Sequence, residues 1–221
     1  MPFQNRVTPF GAIIADPARG TVMGNRGCLH DHGENLLHPY QVTRWIICKI
    51  EFQGRRRPPM PPDEYTSLFF LDEATALAAG HRPCYECNRP KYHAFRDHWM
   101  AANPTRIVAE RQLGDQRLDE QLHRERITQA YFLRDCRKRV YLDMIDALPD
   151  GVFVALGPEL VPHLVLGQQL RAWSTQGYGP PTKRLTGLNV VVLTPSSTVR
   201  ALAHGYIPEL HPSVEQRRGR A

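Results

Sequence analysis

Hydrophobic and polar positions change rhythm three times along the chain. Residues 1–40 are rich in Gly, Pro, His and polar groups and predict loops with one short strand, Thr21–Gly24. Arg44–Phe52 alternates, with Ile46, Cys48, Ile50 and Phe52 on one side and Trp45, Lys49 and Glu51 on the other, the pattern of a half-buried strand. The prolines of GRRRPPMPP then exclude a helix or a central strand. Leu68–Leu71 predicts a short buried strand. Asp72 follows as a helix N-cap, because its carboxylate can accept the free N–H groups of a first turn. Glu73–Ala79 is helix-forming, and Gly80 supplies the stop. After a tight turn over Arg82–Asn88, Pro90 opens a second helix to Ala102, with Tyr92, Phe95 and Trp99 on one face.

Residues 105–140 carry nine Arg or Lys against six Asp or Glu and predict charged helix with an apolar stripe through Leu118, Leu122 and Ile127. Leu148-Pro149-Asp150-Gly151 is a turn signal, and the rhythm becomes β-like in Val152–Leu156, Leu164–Leu166 and Leu188–Leu193. A last helix is expected over Thr198–His204, capped by Ser196 or Ser197 and stopped by Gly205, before a disordered tail. The expected fold class is therefore α+β, with a module at residues 1–104, a charged helical segment at 105–148, a small β-rich unit at 149–210 and a tail at 211–221.

Composition narrows the class. Of 221 residues, 42% are hydrophobic and 23% charged, which is ordinary for a folded chain. Nineteen prolines imply many irregular connections. A formal net charge of +6 favours a polyanionic partner only mildly. No apolar run reaches the ~20 residues of a membrane span, and the opening MPFQNRVTPFGAII shows no basic-then-apolar leader. Five cysteines without a secretory signal suit a reducing cytoplasm, where clustered thiols bind metal or do chemistry more often than they form bridges.

Cys84 and Cys87 form a CxxC in HRPCYECNRP, at a turn that opens a helix. Two thiolates at this spacing can hold half of a tetrahedral Zn²⁺ site, and the helix N-terminus favours their charge. A redox CxxC would follow a buried strand, whereas here a helix precedes it. The remaining ligands are sought in Cys48, on its strand, and in Cys28 with His30 and His32 beside it. His93 and His98 lie five apart, about 140° around a helix axis, which is awkward for one ion.

The stretch Leu68–Pro90, LFFLDEATALAAGHRPCYECNRP, resembles the metal-binding domain of the Ada DNA methyl-phosphotriester repair proteins. In that family a strand and a short helix lead into Gly-aromatic-Arg-Pro-Cys-x-x-Cys-x-Pro. This chain matches it at Glu73-Ala74, Gly80, Arg82-Pro83-Cys84 and Cys87, with His81 in place of the aromatic and Pro90 one position late. The family's upstream CxxxC has no counterpart, and Cys48 and Cys28 are the cysteines that precede the motif. The resemblance implies a small zinc-stabilised strand and helix module, a cysteine-rich site and DNA as partner.

DNA contact is then expected from basic, accessible loops. Arg55, Arg56 and Arg57 can neutralise phosphates, Arg26 sits in a Gly-Asn-Arg-Gly loop, and Tyr178 with Lys183 and Arg184 can stack a base beside a phosphate. For catalysis, Glu120 and His123 are three apart on one helix face, where a carboxylate can orient an imidazole, and Tyr178 is the third candidate. No phosphate-binding glycine loop, nucleophile elbow or HExxH accompanies them. The expected function is a zinc-containing, cytoplasmic, DNA-associated protein of repair or damage handling. The alternatives are a repair enzyme that processes bases or abasic sites or accepts alkyl groups on a zinc thiolate, and a non-catalytic interaction module.

Overall fold

In a computed structural model of the chain, residues 1–54, 58–104, 114–128 and 137–215 are described. The fold is mixed α+β, with two six-stranded sheets and four α-helices among these residues. The first sheet contains β1 (Gln4–Val7), β2 (Ile13–Ala15), β3 (Val22–Asn25), β4 (Ile46–Cys48), β5 (Leu68–Phe70) and β6 (Arg82–Pro83). Its order is β2-β1-β5-β3-β4-β6. β1 runs parallel to β5 and β4 parallel to β6, while the other pairs are antiparallel.

Between the sheets in sequence lie α1 (Glu73–Ala78), α2 (Arg89–Ala102) and α3 (Gly114–Arg126). Asp72 caps α1 as expected, accepting the Thr75 N–H at 2.8 Å. Gly80 ends the turn at φ +91°, where a Cβ would stand 2.6 Å from the Arg126 stem, so this position needs glycine for both conformation and room. α2 buries Tyr92, Phe95 and Trp99, and α3 buries Leu118 and Leu122.

The second sheet is antiparallel throughout, in the order β11-β10-β9-β8-β12-β7. Its strands are β7 (Tyr141–Met144), β8 (Phe153–Leu156), β9 (Val161–Leu166), β10 (Gln169–Ser174), β11 (Gly177–Lys183) and β12 (Asn189–Val192). α4 (Ser196–Ala203) packs on α2 and α3. Pro180 and Pro181 are accommodated because β11 is an edge strand and its ladder to β10 is irregular between Arg171 and Trp173, opposite these prolines.

All six residues of α1 are buried, and the helix touches both β5 and β8. Ala76 and Leu77 join a core with Val7, Phe70, Val154 and Val192, so residues of both sheets share one apolar cluster. Ala74 and Ala78 face Phe153, Leu164 and Tyr178. Two buried acids at the start of α1 tie it to the C-terminal half. Asp72 accepts the Tyr178 hydroxyl at 2.7 Å, and Glu73 accepts from the Tyr206 hydroxyl and from Lys91.

Three expectations are corrected. Residues 1–40 hold three strands rather than one, because β1 finds its partner in β5, across a long stretch of sequence. The strand read over Arg44–Phe52 shortens to Ile46–Cys48 and turns its other face inward: Trp45 and Ile47 are buried, while Ile46 and Cys48 are only half-buried. The Gly177-Tyr178-Gly179 loop is the start of β11, with Tyr178 packed in the core.

Candidate metal centre

The register of two short parallel strands builds the site. Ile46 pairs with Arg82 and Ile47 with Pro83, and the Cys84 N–H donates to the Ile47 carbonyl at 2.9 Å. Continuing both chains by one residue brings Cys48 level with Cys84. The turn that starts α2 then returns Cys87 to the same place, with the Asn88 N–H bonded to the Cys84 carbonyl at 3.2 Å. The Sγ atoms of Cys48, Cys84 and Cys87 lie within 4.8 Å of one another. Arg82, one residue before Pro83, is anchored by a bidentate pair with Asp119 of α3 at 3.0 and 2.9 Å, which fixes the strand edge beneath the turn.

The electrostatics of three such sulfurs favour a cation. The Lys49 N–H points at Cys87 Sγ at 3.4 Å, the arrangement that supports a thiolate. Hydrogen bonds from the Cys48 and Cys87 thiols hold Cys84 as a thiolate, lowered to about 2. Its hydrogen bonds with Cys84 and Cys87, followed by burial, push Cys48 far up. Three sulfurs this close repel one another once ionised, and a divalent ion would let all three carry charge. The donor set fits a thiophilic ion such as zinc. All three cysteines line a cavity of about 200 Å³ together with Asn25, Tyr65 and Glu86.

The other candidate ligands lie outside this trio. Cys28 Sγ faces the His30 carbonyl at 3.8 Å. The His30 ring is committed to Thr66 Oγ1 at 2.6 Å and to the Pro61 carbonyl at 3.1 Å, and His32 pairs with Asp63 on the surface. The proposed acid–base pair does not meet either. Glu120 is exposed and bonds Gln116 and Arg124, whereas His123 accepts from Arg126 at 2.9 Å. Burial, reinforced by Arg126, lowers His123 to about 4. Tyr178 is held in the core by Asp72, away from solvent.

Of the proposed phosphate contacts, Lys183 is exposed. Arg184 is spent on the Gly167, Leu148 and Ile145 carbonyls, so it staples turns rather than presenting a charge. Arg26 is 2% exposed and lies 4.0 Å over the Trp45 ring. Arg55, Arg56 and Arg57 fall outside the described residues. No helix among the described residues is long and apolar enough to cross a membrane.

Around Arg26 the sequence reading missed a cluster that includes Trp45, His81, Arg126 and Lys138. These positions are scattered over more than a hundred residues, and Arg126 in HRERIT reads as part of a solvated helix face. Comparisons with family models, curated proteins and solved structures gave no significant match to this chain.

Proposed function

We propose that the chain is a zinc-thiolate protein that associates with DNA in repair or damage handling. The convergence of Cys48, Cys84 and Cys87 carries this reading, together with the Glu-Ala helix, Gly80 and Arg-Pro-Cys-x-x-Cys residues that resemble the Ada metal-binding domain. The three cysteines would hold the ion, which locks the edge of the first sheet to the start of α2 and neutralises the clustered sulfurs. The net charge of +6 supports a polyanionic partner.

Fluorescence anisotropy with duplex and single-stranded oligonucleotides tests the partner. The affinity should fall linearly on a logarithmic salt axis, with a shallower slope after Arg55, Arg56 and Arg57 are changed together to Ala. No binding at low salt by a zinc-loaded, folded chain removes DNA from the proposal.

A second reading is favoured by the ligand count. Three sulfurs among the described residues leave a tetrahedral ion one position to fill, beside a cavity. Cys48, the most exposed of the three, could then accept an alkyl group. Its sulfur would form an S–C bond as the C–O bond of a phosphotriester breaks and the phosphodiester leaves with the electron pair. Mass spectrometry of the chain after incubation with methyl-phosphotriester DNA should show one added methyl on Cys48. An unmodified chain discards this second reading and leaves the first untouched.

A further inference from the structure

A second cavity, of about 620 Å³, lies away from the sulfurs and is lined by Arg26, Arg126, Arg137 and Lys138. Arg26 and Arg126 are 2% and 1% exposed, and their guanidinium carbons stand 4.0 and 3.8 Å over the same Trp45 ring. Stacking orients them but does not neutralise them. Their hydrogen bonds go to carbonyls and two imidazoles: Arg26 donates to Gly11, Pro39 and His81, and Arg126 to Gly80, Thr43 and His123. Lys138 donates to the Ala78 carbonyl.

Among the described residues, two buried nitrogens of these arginines find no partner, Arg26 Nη2 and Arg126 Nε. No Asp or Glu lines the cavity among the described residues. Asp119 favours the charge on Arg126, but it is engaged by Arg82. Burial lowers Arg26 to about 9, and burial together with the two arginines lowers Lys138 to about 7. Concentrating unpaired cations in a poorly solvated place is costly, and proteins do so where an anion is to be received. The size lies within the range of ligand sites, ~300–1,000 Å³.

We propose that this cavity binds a small organic phosphate, with the phosphate on Arg26, Arg126 and Lys138 and the organic body against Phe10, Ile13, Leu36 and Tyr40. Several converging cations match a dianion better than a carboxylate, and guanidinium forks suit phosphate oxygens. The apolar and aromatic wall calls for more than inorganic phosphate. A free nucleotide and the terminal nucleotide of a strand present the same chemistry. The inference makes no use of the three sulfurs, so it stands or falls separately from the zinc reading.

Isothermal titration on the full chain provides the test, with adenosine monophosphate, adenosine, inorganic phosphate, benzoate and a 5′-phosphorylated single-stranded oligonucleotide as probes. Adenosine monophosphate should bind and adenosine should not. Lys138→Met should weaken binding by about tenfold or more, the worth of a charged hydrogen bond. Ala12→Trp places a bulky group at an exposed position of the cavity lining and should block binding while leaving the buried arginines intact. If the oligonucleotide alone binds, and Ala12→Trp abolishes it, the nucleotide comes from a strand end. The proposal is overturned if inorganic phosphate or benzoate binds as tightly as the nucleotide. It is equally overturned if no phosphate probe saturates the wild-type chain by about 1 mM.

Discussion

Tyr178→Phe separates a structural tyrosine from a catalytic one. The Tyr178 hydroxyl donates to Asp72 Oδ2 at 2.7 Å, inside the contact between α1 and the second sheet. Asp72 keeps three other donors in the variant: the Thr75 N–H at 2.8 Å, the Thr75 hydroxyl at 2.7 Å and the His211 N–H at 3.0 Å. The carboxylate is therefore not orphaned, and the loss should sit at the lower end for a hydrogen bond to a charged group, about 1.5–2 kcal/mol. Urea unfolding should show a lower midpoint at an unchanged slope. For a chain of this size the loss corresponds to a Tm lowered by about 3–8 °C.

The pH dependence of the same variant gives an independent check. Burial, reinforced by Asp72, raises the Tyr178 hydroxyl well above its ordinary value of 10.0. The folded state keeps this proton while the unfolded chain releases it, so wild-type stability should decline as pH rises beyond about 10. Tyr178→Phe should decline less steeply. A change below about 0.5 kcal/mol, the range of an ordinary surface substitution, would refute the reasoning.

Asp119→Asn removes the bidentate charge pair to the buried Arg82 guanidinium and should cost about 3 kcal/mol or more by urea unfolding; a loss under about 1 kcal/mol would mean that the pair does not anchor the β6 edge. His81 is fully buried, and burial with Arg26 and Arg126 nearby holds it neutral, well below its ordinary 6.5. Its unfolded counterpart protonates as pH drops, so the folded chain should lose stability from about pH 6.5 downward, by up to about 1.4 kcal/mol per unit. His81→Phe, whose ring can keep the contacts with Phe70 and Trp45, should flatten that slope between pH 6.5 and 5. An unchanged slope would assign the acid sensitivity to other groups.

What the sequence made legible was local chemistry. Asp72 before a helix-forming run, Gly80 after it and Pro90 at the next helix start each act within a few residues, and β5, α1 and α2 appear almost where those signals place them. Leu118 and Leu122 are legible for the same reason. What depends on distant partners was not legible. β1 has four residues and pairs with β5 only through the closure of the whole first sheet. β4 offered an apolar alternation on either face, and Trp45 is drawn inward by Arg26 and Arg126, which no local pattern links to it. Pro180 and Pro181 hid β11 because its place at a sheet edge and the irregular register opposite them, neither of which is local, let the strand carry them. The CxxC announced half of the metal site. Cys48 joined it through the β4–β6 register, while Cys28, beside two histidines, lies elsewhere.

Metal content measured on the purified full chain tests the three-sulfur centre most directly. One zinc ion per chain should be found in the wild type and in Cys28→Ser, and it should be lost or greatly weakened in Cys48→Ser, Cys84→Ser and Cys87→Ser. A metal-free chain that is fully folded, or a zinc ion that survives Cys48→Ser but leaves with Cys28→Ser, would contradict the account.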